Sequence, residues 1–194
     1  MSKEMAMVGV VVLMCCSSVS LATAMMMGGD DTKSPAPSRS PGPSSPPPPP
    51  PKYRYVRIVR DKQGDDHWMN IAEVEVFSGT TNVASGKTVT ASSLYGATWP
   101  HANLVDGNKT NFAHTHNEAL EYFQIDLGQE YDIDKVVITN RTDCCQGRLR
   151  NTKIQLSKSA DMSSPKESRV VTTEEAPRAT ITWSPKSGAQ LTAA

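Results

Sequence analysis

Two stretches near the middle of the chain alternate apolar and polar residues too regularly to be helical. In residues 53–59 Val56 and Ile58 fall on one face with Arg57 opposed, and in residues 70–77 Val74 and Val76 oppose Glu73 and Glu75. A period of two marks a strand with one face buried. The same reading predicts strands over 87–91, 121–127 (Phe123, Ile125 and Leu127 inward), 135–139, 152–156 and 178–183. Gly, Asp, Asn and Pro turns separate them, and no helical period of any length appears. Many short alternating strands joined in this way call for an all-β fold, a β-sandwich closed by Greek-key connections into a jelly roll.

The 194 residues carry 20 basic and 20 acidic side chains. That suffices for one domain with appendages and leaves no net charge to favour nucleic acid or a membrane surface as partner. Residues 1–27 begin with Lys3, continue as an apolar run and reach Ala22-Thr23-Ala24, the small-residue pattern that signal peptidases accept, so export is expected. Residues 5–27 are also long enough to cross a bilayer, which leaves an uncleaved signal-anchor, a membrane tether with the domain outside, as the alternative. Residues 28–52 turn to Ser, Gly and Pro and end in six consecutive prolines. Such a segment lacks backbone donors and apolar residues, and is expected to be an extended spacer of about 3.1 Å per residue. The folded domain is assigned to residues 53–194. Of four cysteines, Cys15 and Cys16 lie in the leader, so Cys144 and Cys145 are the domain's only thiols.

The chemistry concentrates in residues 141–148, Arg-Thr-Asp-Cys-Cys-Gln-Gly-Arg, with His114 upstream. Arg141 and Arg148 are two planar donor forks, Asp143 is a carboxylate able to steer one of them, and the cysteines form an apolar sulfur ledge. Two guanidinium groups can grip vicinal oxygens while a histidine supplies a donor or an acceptor, a combination suited to a polyhydroxylated ligand. No nucleophile stands beside a base, and no carboxylate pair suggests a hydrolase. This pattern resembles the F-type lectins, or fucolectins, whose motif is a His, an Arg 27 residues on, an Asp two further, and a basic residue seven after the Arg. Here 141 − 114 = 27 and 148 − 141 = 7. The resemblance implies a non-enzymatic carbohydrate-binding module with a discoidin-like fold, taking terminal L-fucose or a similar glycan of cell surfaces or glycoproteins. It also implies His114, Arg141 and Arg148 as the hydroxyl-binding residues and a Cys144–Cys145 vicinal disulfide against the sugar's apolar face. His116 is a neighbour of the motif. A discoidin-type adhesion module gripping protein or lipid head groups is the alternative function, and the Arg-Asp-Cys-Cys-Arg loop argues against it. A homo-oligomer stays open.

Asn103-Leu104-Val105-Asp106-Gly107-Asn108 offers oxygen ligands about a glycine turn, which suits a hard cation and equally an ordinary turn. The resemblance implies calcium here, held by the backbone carbonyls of Ala72 and Asn103 and by Glu73, Asp106 and Asn108. In the family the Glu-Val-Glu-Val strand closes the domain, whereas here residues 72–77 precede it. A circularly shifted strand order would account for that, and the rival is the tail of a lost upstream domain. Other readings are a zinc site from His114, His116, Cys144 and Cys145, or two free thiols; adjacent cysteines are poor co-ligands. Leu94, Tyr95, Trp99 and Phe112 stand in or beside loops preceding the motif and are candidates for an apolar pocket wall or for core packing. His67 and His101 read as surface loop residues. Asn108-Lys109-Thr110 and Asn140-Arg141-Thr142 are both glycosylation sequons.

Overall fold

The computed structural model describes residues 49–61, 68–163, 165 and 167–187. The expected leader, the spacer before residue 49 and His67 lie outside the described residues. Two antiparallel sheets make the domain, and no α-helix occurs among the described residues. Alternation explains the strands. In β1 (Tyr53–Asp61) Val56 and Ile58 are buried, and in β2 (Asn70–Ser78) Val74 and Val76 are fully so. The remaining strands are β3 (Thr81–Asn82), β4 (Thr88–Ala91), β5 (Ala113–His114), β6 (Leu120–Tyr131), β7 (Lys135–Asn140), β8 (Lys153–Ser157), β9 (Glu167–Val170) and β10 (Thr180–Trp183).

One sheet runs β4-β6-β1-β8-β9 and the other β10-β7-β2-β3, with β5 also paired to β2. The apolar faces meet in one core that includes Val56, Ile58, Val74, Phe123, Ile125, Leu127, Ile138 and Ile154. β1 lies between β6 and β8, and β2 between β7 and β3, so residues 53–78 supply a central strand to each sheet. A tail left from another domain would not sit there. Strands β3, β5 and β9 were absent from the sequence reading; the first two are two residues long, and Glu-Ser-Arg-Val in β9 is an edge strand with no buried residue.

Glu73 departs from expectation. Alternation puts it on the face opposite Val74, where half-exposure is the usual outcome, yet it is buried because the turn at Asp106–Gly107 folds over it. Deleting residues 53–78 removes the middle of both sheets and leaves β6, β8, β7 and β3 each with an unpaired edge. The remainder is expected to lack cooperative unfolding in denaturant titration and dispersed amide signals in NMR.

Candidate functional site

His114 ends the two-residue strand β5, whose partner is the start of β2, with Asn70 opposite His114. The chain is clamped just beyond: Thr115 N–H donates to the Met69 carbonyl at 3.0 Å, and Met69 N–H to Thr115 Oγ1 at 3.1 Å. The imidazole is only 5% exposed, and its Nδ1 is 2.6 Å from the Thr115 carbonyl. Burial lowers its pKa, and the positive charges of Arg148 and Arg141 add to this against the opposing backbone hydrogen bond. The ring is therefore neutral at physiological pH. Because a carbonyl can only accept, the network assigns the proton to Nδ1 and leaves Nε2 as an acceptor.

Four rings surround it, with centroids at 4.7 Å (Tyr95), 5.5 Å (Trp68), 6.0 Å (Trp99) and 6.1 Å (Phe112). Each arginine stacks on one of them. The Arg141 guanidinium carbon stands 3.9 Å from the Phe112 centroid and that of Arg148 5.8 Å from Trp68. Asp143 grips Arg141 in a bidentate pair, Nε to Oδ1 at 2.5 Å and Nη2 to Oδ2 at 2.8 Å. This pairing, ahead of all else, holds the Asp143 carboxyl down at about 2. Cys144 and Cys145 are joined as a vicinal disulfide with Cα atoms 3.8 Å apart. Cys145 has φ 66°, a left-handed conformation uncommon outside glycine, and opens the 3-10 turn Gln146–Leu149 that carries Arg148. The structure thus brings His114, Arg141, Asp143, Cys144, Cys145 and Arg148 to one end of the sandwich. His116 is exposed and beyond β5, and the disulfide removes the thiolates that a zinc site would need.

Three supporting residues escaped the sequence reading. Trp68 forms part of the ring wall from the segment before β2. Arg60, fully buried, donates from Nη1 to the Trp68 carbonyl at 2.8 Å and the Arg148 carbonyl at 2.5 Å, linking two sides of the site. Glu121, also fully buried, accepts from Ser93 Oγ at 2.7 Å, from Ser92 Oγ and from Glu118 N–H. Ser93 Oγ in turn accepts from His116 N–H at 2.9 Å, so Glu121 fixes the loop bearing Tyr95 against the His114 segment. A signal for both charges was present: Arg60 is in phase with Val56 and Ile58, and Glu121 with Phe123 and Ile125, inward positions where a charge needs a reason. His101 opens the 3-10 turn His101–Val105, and its Nε2 lies 3.1 Å from the Ser93 carbonyl.

Beside this wall lies the Asp106 loop. Glu73, 1% exposed, receives the Gly107 N–H at 3.2 Å, and burial, ahead of repulsion from Asp106 and Glu75, pushes its carboxyl up to about 7. Asp106 accepts from Asn108 N–H at 2.8 Å and Asn111 Nδ2 at 2.7 Å. Asn111 Oδ1 is buried without a partner. The register of β2 against β7 shifts between Ile71 and Glu73, making Ala72 the extra residue of a bulge, which the ladder leaves unpaired. A desolvated carboxylate, an orphaned amide oxygen and a bulged backbone fit a hard cation. Of the expected ligands, Asn103 uses its side-chain nitrogen to hold the Phe112 carbonyl at 3.0 Å, which leaves its own carbonyl as the group to offer. Asn108 Oδ1 accepts from Thr110 N–H at 3.0 Å and Thr110 Oγ1 at 2.7 Å, which leaves its main-chain carbonyl as the group to offer. Between the loop and the arginine turn lies a pocket of about 150 Å³ lined by Ala72, Asn111, Phe112, Arg141 and neighbours.

A family model described as a NedA-like, galactose-binding domain matches residues 103–192. Fucolectin-6 of Anguilla japonica is 36% identical over 99 residues, which are 46% of this chain and 53% of that protein. The fucolectin of Anguilla anguilla is 39% identical over 85 residues (39% and 54%), and a pentraxin fusion protein of Xenopus laevis 30% over 87 (42% and 21%). No solved structure matches the chain. The fold and the matched model liken the sandwich to galactose-binding domains. With the fucolectin relatives, it is similar to F-type lectin domains. The chain spans about half the length of the curated relatives it matches.

Glu73 yields a pH test on protein stripped of metal. Its folded-state pKa of about 7 lies above the ordinary 4.5, so the folded domain binds this proton more tightly than the unfolded chain. Stability should therefore fall as pH rises from about 4.5 to about 7, by about 3 kcal/mol, and level off above. Urea midpoints measured across that range in chelator should follow this course, and Glu73→Gln should flatten it and be the more stable protein above pH 7.

Proposed function

We propose that this domain is a non-enzymatic lectin module that binds glycans through a terminal L-fucose or a similarly configured sugar. The observation that carries the reading is His114, held neutral inside a ring of aromatic side chains and approached from two sides by Arg141 and Arg148. A sugar hydroxyl donates one proton and accepts others. Nε2 of His114 takes the donated proton, and the arginines donate to the oxygens beside it. The deoxy carbon of fucose gains only by burial, and Trp68, Tyr95, Trp99 and Phe112 offer surfaces for C–H edges. The Cys144–Cys145 bridge supplies a further apolar ledge. The matched relatives named fucolectins support the same choice of sugar.

Calcium is part of the proposal. Glu73 and Asp106 would hold it with carboxylates and Ala72, Asn103 and Asn108 with main-chain oxygens, while Asn111 Oδ1 joins the set. The ion acts as a brace between β2 and the loop that leads to His114, and takes no part in chemistry. The leader and spacer would place the module outside the cell, released or tethered through residues 5–27.

Arg141→Ala and Arg148→Ala are each expected to weaken fucose binding about 10- to 100-fold while the fold persists. Each removes charge-assisted hydrogen bonds worth about 1.5 to 3 kcal/mol. Lys at either position should also fail, because the planar fork is lost. Calorimetric titration with unchanged affinity in both alanine variants would overturn the site. Because His114 must be neutral to accept, affinity should be flat through neutral pH and fall only on acidification below the ordinary imidazole range.

Calcium at about a thousand times its dissociation constant should stabilise the domain by about 4 kcal/mol. Thermal melts with and without chelator check this, and Asp106→Asn should abolish the response. Glu75→Gln, whose partner is the exposed Lys109, should leave it intact.

A further inference from the structure

Two sequons occur, and the fold treats them oppositely. Asn140 is fully buried at the end of β7. Its Nδ2 donates to the carbonyls of Gln146 at 3.1 Å, Ala176 at 2.7 Å and Arg178 at 3.2 Å. A glycan on that nitrogen would break this three-way tie and put a polar, bulky group in the interior, so a chain modified there cannot reach this fold. Asn108, Lys109 and Thr110 are all exposed. The Asn108 side chain turns its Oδ1 to the Thr110 N–H and hydroxyl, and no hydrogen bond is found on its Nδ2 among the described residues. The Lys109 ammonium is anchored on Glu75 at 2.8 Å, so the tripeptide is presented from a fixed turn.

We propose that Asn108 carries an N-linked glycan and that the Asn140 sequon is a structural element that stays unmodified. The donor is a lipid-linked oligosaccharide pyrophosphate of the secretory pathway. A bond forms from Asn108 Nδ2 to the sugar's anomeric carbon, the bond from that carbon to the pyrophosphate oxygen breaks, the lipid pyrophosphate leaves, and the amide proton passes to the transferase. The modification uses only Nδ2. It therefore keeps both Thr110 hydrogen bonds and all main-chain oxygens of the Asp106 loop. The glycan would rise beside the pocket that Lys109 and Thr110 help to line.

The test is secretion of the full chain from cultured insect or mammalian cells, read in the medium and the membrane fraction alike. Amidase release of N-glycans in heavy-oxygen water should convert Asn108, and not Asn140, to labelled Asp in peptide mass spectra. Asn108→Gln and Thr110→Ala should each abolish the electrophoretic shift that the amidase removes, and Lys109→Ala should retain it. An unmodified Asn108 overturns the proposal, whether the chain enters the secretory pathway or not. So does a glycan on Asn140 in protein that unfolds cooperatively. None of these readouts requires sugar binding, so the lectin reading stands or falls separately.

Discussion

Burying one imidazole decides most of what surrounds it. His114 sits among four aromatic rings with two guanidinium groups close by, and a charged ring there would face both desolvation and repulsion. Neutrality follows, the carbonyl of Thr115 then fixes which nitrogen keeps the proton, and the other nitrogen becomes the one acceptor in a setting rich in donors. The neighbours look after placement. Asp143 holds Arg141, Arg60 ties the backbones of Trp68 and Arg148, and Glu121 fixes the loop that carries Tyr95. Glu121 and Arg60 are charged groups in poorly solvated places, and each is retained by hydrogen bonds to groups of the site.

Much of this was legible from the residues. Period two found the long strands because one face of each is dry, and the spacing of His114, Arg141 and Arg148 picked out side chains that the fold brings near one another. What escaped depends on tertiary cover. Alternation assigns Glu73 to a face and is silent about which turn will lie over it. Trp68 stands far from the motif in sequence and reaches it only because β2 pairs with β5. Arg60 and Glu121 are in phase with core residues, a conflict between pattern and chemistry that only a tertiary partner resolves. The side chain of Asn108 looked like a cation ligand in composition, and a local turn with Thr110 had already claimed its oxygen.

The balance of 20 basic and 20 acidic side chains has a local counterpart in the fold. Arg54 with Asp126, Lys109 with Glu75, Arg141 with Asp143 and Lys186 with Asp134 pair opposite signs across the surface. Exposed pairs of this kind add little stability. Their effect is positional, as where Asp143 sets the plane of the Arg141 guanidinium.

Strand β2 carries both halves of the site in a single register. Its first residue lies opposite His114, Ala72 is the bulge and Glu73 follows at once under the Asp106 turn. Removing the bulge by deleting one residue would restore a regular ladder, an outcome that would look like an improvement to the sheet. The pairs on either side, Ile71 with Asn140 and Glu73 with Thr139, would become neighbours in an ordinary ladder and keep their faces, but the extra main-chain groups of Ala72 would be gone. The irregularity is thus a surplus rather than a fault: the extra residue gives the strand main-chain groups that the ladder does not use, and a repaired strand would have none to spare.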